Sequence, residues 1–213
     1  MATTQRHPFS ELARYLPDNT LEDVLAYLQK YKVQLTITRA RRTVLGNYRN
    51  AHGHQAHRIS VNGNLNKYSF LITLLHELGH LVTYEAHHHR VAPHGREWKN
   101  NYADILKIFL AKQVFPEDIA GELRSSLHNP GASSCSEPGL MRVLKKYDDD
   151  PHGLNLVEEV QPGQWFVTRD NKVFIMEKKM RTRYLCKEYP TGRQYLFNGL
   201  YEVKIVDRHP EFP

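Results

Sequence analysis

Residues 68–86, YSFLITLLHELGHLVTYEA, contain no proline and a single glycine. Leu71, Leu74, Leu75, Leu78 and Val82 fall on one stripe at a period of 3.6 residues. That spacing predicts a long, largely buried α-helix around which the rest of a small domain must pack. Two histidines interrupt its apolar surface. His76 and His80 stand four apart, and Glu77 follows the first. Four residues advance a helix by about 6 Å and return to the same face, so both imidazoles can close on one metal ion at about 2.0–2.1 Å. Glu77 is turned about 100° from His76, able to reach water beside the ion without binding it. H-E-x-x-H on a helix is the arrangement in which zinc ionises water near neutral pH and a carboxylate acts as general base. The plain alternative is two core histidines bonded to backbone or carboxylate groups.

A catalytic zinc needs a third protein ligand and one open position. His94, in APHGREWKN, is the leading candidate, because Pro93 and Gly95 put it at the turn into the next helix. Glu97, Glu85 and the run His87–His89 compete for the role. The triple histidine is expected to end the helix in solvent, where the C-terminal dipole favours positive charge. His52, His54 and His57 lie in an arginine-rich loop and are expected to be solvated or to face an anion. Gly79 costs about 1 kcal/mol relative to alanine inside a helix, which predicts a close neighbour there. That neighbour is expected to be the helix over 95–112, with Trp98, Tyr102, Ile105, Leu106 and Phe109 inward. Tyr102 is also a candidate for polarising a substrate carbonyl.

Elsewhere, TLEDVLAYLQKY predicts a capped helix over 20–31. VQLTITR (33–39) reads as a strand with TVLGNYR (43–49) as its neighbour, and HRISVNGNL (57–65) as a further strand ending at an Asn-Gly turn. Pro116 begins a shorter helix through Leu127. Residues 128–139 are rich in Pro, Gly and Ser and read as a linker, with a short helix, LMRVLKKYD, after it. Beyond residue 153, short β-like runs divided by turn residues predict a small antiparallel sheet or barrel. The expected class is therefore α+β: a helical core with a small antiparallel sheet over 1–127, a linker with a short helix over 128–152, and a β-rich domain over 153–213.

The net charge of +6 is unevenly spread. Residues 39–58 hold five arginines and no acid, and residues 172–193 carry a further net +5, leaving the remainder near −4. Two basic zones on a mildly acidic background suggest an anionic partner, above all a nucleic acid. Cys135 and Cys186 are the only cysteines. They fit a reducing compartment and are too few for a four-cysteine zinc ribbon. No run of eighteen apolar residues and no apolar leader segment stands in the sequence, so a cytoplasmic protein without membrane contact is expected. Nothing in the sequence sets an oligomeric state.

In order, RRTVLGNYR, HRISVN, FLITLLHELGHLV and HGREWKN resemble the SprT family of zinc metalloproteases, to which the Spartan-type DNA–protein crosslink proteases belong. The resemblance spans roughly residues 15–115, and HELGH and HGREW are its most specific parts. It implies one catalytic zinc held by His76, His80 and His94, with Glu77 as the catalytic base. It also implies a protein or peptide substrate and a link to DNA, here through zones 39–58 and 172–193. Many family members carry a four-cysteine ribbon after the protease core, and this chain lacks it. Its β-rich tail, with Tyr184, Tyr195 and Phe197, is then a candidate nucleic-acid platform. An extended substrate segment is expected to pair with an edge strand near HRISVN. The alternative is a nucleic-acid-binding module in which zinc is structural or vestigial.

Overall fold

The computed structural model describes residues 9–41, 43–149 and 153–206. Arg42 and residues 150–152 of the expected linker lie outside the described residues. The chain divides into two compact units, 1–148 and 149–213. The expected α+β class with a β-rich C-terminal part holds.

The first unit runs through α1 (Phe9–Leu12), α2 (Leu21–Lys30), β1 (Gln34–Thr38), β2 (Gly46–Arg49), β3 (Arg58–Asn62), α3 (Lys67–His87), α4 (Arg96–Ala111), α5 (Glu117–Ser126) and α6 (Pro138–Lys145). The expected long helix is α3. Asn66 caps it by accepting from the Ser69 backbone N–H at 2.8 Å. Every residue from Ser69 to Gly79 is buried, so α3 is enclosed on all faces rather than along one stripe. On α4, Trp98, Tyr102, Ile105, Leu106 and Phe109 all point into the same core, as their spacing requires. Thr20 precedes α2 but does not cap it. Its hydroxyl donates instead to the Pro17 carbonyl at 2.6 Å.

The small sheet has the order β1-β3-β2. β2 and β3 are antiparallel, whereas β1 and β3 run parallel. The strand over 43–49 is therefore not the neighbour of the first, and the HRISVN strand is central rather than at an edge. Composition explains the order. β1 and β3 bring Leu35, Ile37, Ile59 and Val61 into register on one face, with Leu35 opposite Ile59 and Ile37 opposite Val61. β2, GNYR, has little apolar surface and takes the rim. Residues 128–148 fall in the first unit, where Leu140 and Leu144 of α6 are buried in its core.

The second unit holds β4 (Asn155–Leu156), β5 (Trp165–Val167), β6 (Val173–Lys179), β7 (Arg183–Tyr189), β8 (Gln194–Asn198) and β9 (Glu202–Val206) in one antiparallel sheet of order β4-β9-β5-β6-β7-β8. Alternation puts Phe166, Phe174, Met176, Cys186 and Val203 on the inner face. Phe197 joins that core, 4.9 Å from Phe174 between ring centroids, and Tyr184 packs against it. Of the three aromatics expected to form a platform, only Tyr195 is classed as exposed. Among the described residues no helix is long and apolar enough to cross a membrane.

Candidate metal centre

α3 and α4 build the site between them. Gly79 lets them approach: a Cβ at that position would lie 3.0 Å from Tyr102 Cβ and 3.1 Å from Trp98 Nε1. The glycine that looked costly in a helix is the contact point with α4. His94 sits in the tight turn before α4, where the Gly95 N–H donates to the Ala92 carbonyl at 3.0 Å. The turn carries its ring back to α3. Ring centroids stand 5.0 Å apart for His76 and His80, 5.5 Å for His76 and His94, and 4.6 Å for His80 and His94. One nitrogen from each ring lies within 4.8 Å of the other two, so the three side chains could hold a metal ion.

The surroundings disfavour protonation of the three imidazoles. Burial pushes the His76 imidazole down to about 3, helped by the nearby His80 and His94 rings. Burial and His94 bring His80 down to about 4. His94 is also lowered, by burial first and then by Lys99. Neutral imidazoles are the form that ligates a metal. Among the described residues none of the three rings makes a hydrogen bond, and His94 Nε2 is buried without a partner. A buried, unsatisfied nitrogen beside two other convergent imidazoles fits a divalent cation.

Glu77 is buried on the adjoining face of α3. Burial lifts its carboxyl to about 7, while the Tyr48 backbone N–H and the Arg41 charge hold it below what burial alone would give. β2 lies directly against it. A Cβ on Gly46 would sit 2.6 Å from Glu77 Oε1 and 2.6 Å from Thr73 Cγ2. Arg41 is fixed by Nε donating to Asn62 Oδ1 at 2.8 Å and by one terminal nitrogen donating to Ser60 Oγ at 3.0 Å. This arginine of the first basic zone is thus structural.

The competing ligands stand apart from the cluster. Glu85 lies 3.2 Å from His57 Nε2, and Glu97 lies beside Arg96. His88 and His89 are exposed beyond α3 and pack their rings on Tyr84. Tyr102 is wholly enclosed, with its ring stacked 5.2 Å from Trp98, so it belongs to the core rather than to substrate. His57, expected in solvent, is buried. Its Nδ1 lies 2.8 Å from the Tyr48 hydroxyl and accepts from the Ala51 N–H at 3.2 Å. Tyr48 in turn runs parallel to His80, 6.5 Å away. Nothing in the spacing of a histidine-rich loop marks His57 as interior. Gly46 did carry a signal, because an isolated glycine within a strand pattern points to a close approach.

A family model described as SprT-like family matches residues 11–118, half of the chain. No curated protein and no solved structure matches significantly.

Proposed function

This chain belongs to the SprT-like family, and from that premise we propose that it is a zinc-dependent metallopeptidase. The observation that carries the reading is the convergence of His76, His80 and His94, with Glu77 buried beside them. The three imidazoles would hold a single zinc ion, leaving a position open. When bound, zinc supplies Lewis acidity, which makes water a nucleophile near neutral pH and polarises a peptide carbonyl.

Glu77 performs the proton transfer. It takes a proton from the attacking water and returns it to the leaving amine. The Tyr48 N–H and Gly46 keep that carboxylate on the inner side of β2. β2 is an edge strand of its sheet. Asn62 N–H donates to the Leu45 carbonyl at 2.9 Å, so alternation turns the main-chain groups of Gly46 and Tyr48 away from β3. The Tyr48 N–H is engaged by Glu77, so an extended substrate segment would pair with the other outward main-chain groups of this edge, rather than along the HRISVN strand.

The experiment is Glu77→Gln. It is expected to keep one zinc per chain and to lose at least about 10²-fold in proteolysis, the usual worth of a general base. Parental cleavage by that variant would end the reading.

DNA-bound proteins are the proposed substrates. The support lies in the second unit, where all seven lysines and arginines of zone 172–193 are exposed. Glu188 within that zone is buried and accepts from Thr191 at 2.6 Å. The same exposed charge favours the alternative, a nucleic-acid-binding module with a structural metal. Nucleic-acid affinity that falls steeply with salt, without cleavage of any protein bound to that nucleic acid, would select the alternative.

A further inference from the structure

We propose that Trp98 is the positioning residue of the metal centre: its indole sets the orientation of the three ligand imidazoles in place of hydrogen-bonded partners. The proposal rests on reading His76, His80 and His94 as ligands. Trp98 is completely buried and its ring meets all three. Centroids are 4.7 Å from His76, 5.2 Å from His80 and 4.7 Å from His94. Of the other rings near the site, Tyr102 stands 5.6 Å from His76 and Tyr48 stands 6.5 Å from His80. Each of these reaches one imidazole of the cluster.

A ligating histidine ordinarily donates its second ring N–H to a carboxylate or carbonyl, which fixes the ring and its tautomer. Among the described residues no such bond is made by any of the three. Within the protein, the indole is a surface that all three imidazoles share. It is itself fixed by stacking on Tyr102, at 5.2 Å and 19°, and by the closeness of its Nε1 to Gly79. The indole N–H is buried without a partner. An unpaired buried donor is unfavourable, so the benefit of tryptophan here must come from the face and edge of its ring.

The test uses the full chain and cobalt(II), measuring affinity by chelator competition and ligand-field absorption for geometry. Trp98→Leu is expected to weaken cobalt binding by about 10–100-fold, the range seen when outer partners of ligands are lost, and to shift the absorption bands. Trp98→Phe keeps a smaller ring without the N–H. It is expected to bind between the parent and Trp98→Leu, with a smaller shift. Phe109→Leu is the control. It is equally buried on the same helix but about 16 Å further along it. It should lower thermal stability and leave both cobalt readings at parental values.

If Trp98→Leu does not fold, Trp98→Phe decides. Parental affinity and spectrum in the folded tryptophan variants would overturn the proposal, as would an equal loss in Phe109→Leu. A parent protein that binds no cobalt or zinc would instead overturn the metal reading on which it rests.

Discussion

His57 and the cluster of His76, His80 and His94 lie in one unit of the molecule, and their nitrogens meet opposite fates. The His57 side chain is about 10% exposed, with Nδ1 accepting from Ala51 and meeting the Tyr48 hydroxyl, and Nε2 3.2 Å from Glu85. It ties the loop after β2 to α3. His76 is buried to the same degree and His80 and His94 are half-buried, yet among the described residues none makes a hydrogen bond. Between His57 and His76, burial therefore does not separate the two cases. A buried imidazole with both nitrogens answered is mortar, whereas several unanswered imidazoles facing each other could hold a cation. The contrast rests on polar satisfaction and survives even where two histidines are equally hidden.

The largest effect that can break this contrast is in metal affinity. His94→Ala should lose about 10³-fold in zinc affinity, since one of three ligands carries a large share of the binding energy. His57→Ala should stay near the parental value. Stability should invert the order. His57→Ala strands the Tyr48 hydroxyl and the Ala51 N–H, a loss of about 2 kcal/mol. In metal-free protein, His94→Ala removes an already unsatisfied nitrogen and should cost little. Chelator competition and denaturant titration on the same two variants measure both. Equal metal loss in the two would erase the distinction.

The next effect concerns Glu77 in the metal-free protein. Its carboxyl is raised to about 7, so its protonated form suits the fold. The favourable share is present below about 4.5 and is lost as pH rises through about 7. The raised value corresponds to a cost on the order of 3 kcal/mol above neutrality. Glu77→Gln should remove that cost, making the metal-free variant more stable than the parent at pH 8 but not at pH 4. Denaturant midpoints at the two pH values give the answer. An unchanged difference would mean the carboxylate is not strained by its burial against β2.

How much of this could be read in advance follows from which forces are local. α3 and α4 were legible because a periodic apolar stripe is a property of consecutive residues. His76, Glu77 and His80 came with α3, and His94 came from its turn before α4 and from the resemblance. Gly79 announced a neighbour through its helix cost. The strand order was not legible, because β3 entering between β1 and β2 depends on which strands share a buried face. Arg41 and His57 were misplaced for a related reason. Their partners, Asn62, Ser60, Tyr48 and Glu85, come from other elements, and charge or composition in a loop cannot report them. In the second basic zone the lysines and arginines lie on short strands and turns that leave them exposed.

The smallest effect is a near-flat response, and it tests the cluster side of the contrast most closely. Zinc competes with protons for imidazole, so affinity falls with pH only where a free ligand would be protonated. Three ordinary imidazoles with values near 6.5 would lose roughly 10⁴-fold in affinity between pH 7 and pH 5. Here His76 lies near 3 and His80 near 4, and His94 is shifted the same way. Lowered values mean that His76 and His80 are already proton-poor at pH 5 in the folded, metal-free site, and that His94 takes up a proton less readily than a free imidazole. Affinity should therefore fall far less than for ordinary imidazoles over that interval, after correction for the chelator's own protonation. A drop near the ordinary-imidazole figure would show that the three rings open to solvent without the ion. The enclosure provided by Trp98 and β2 would then be a consequence of metal binding rather than a preparation for it.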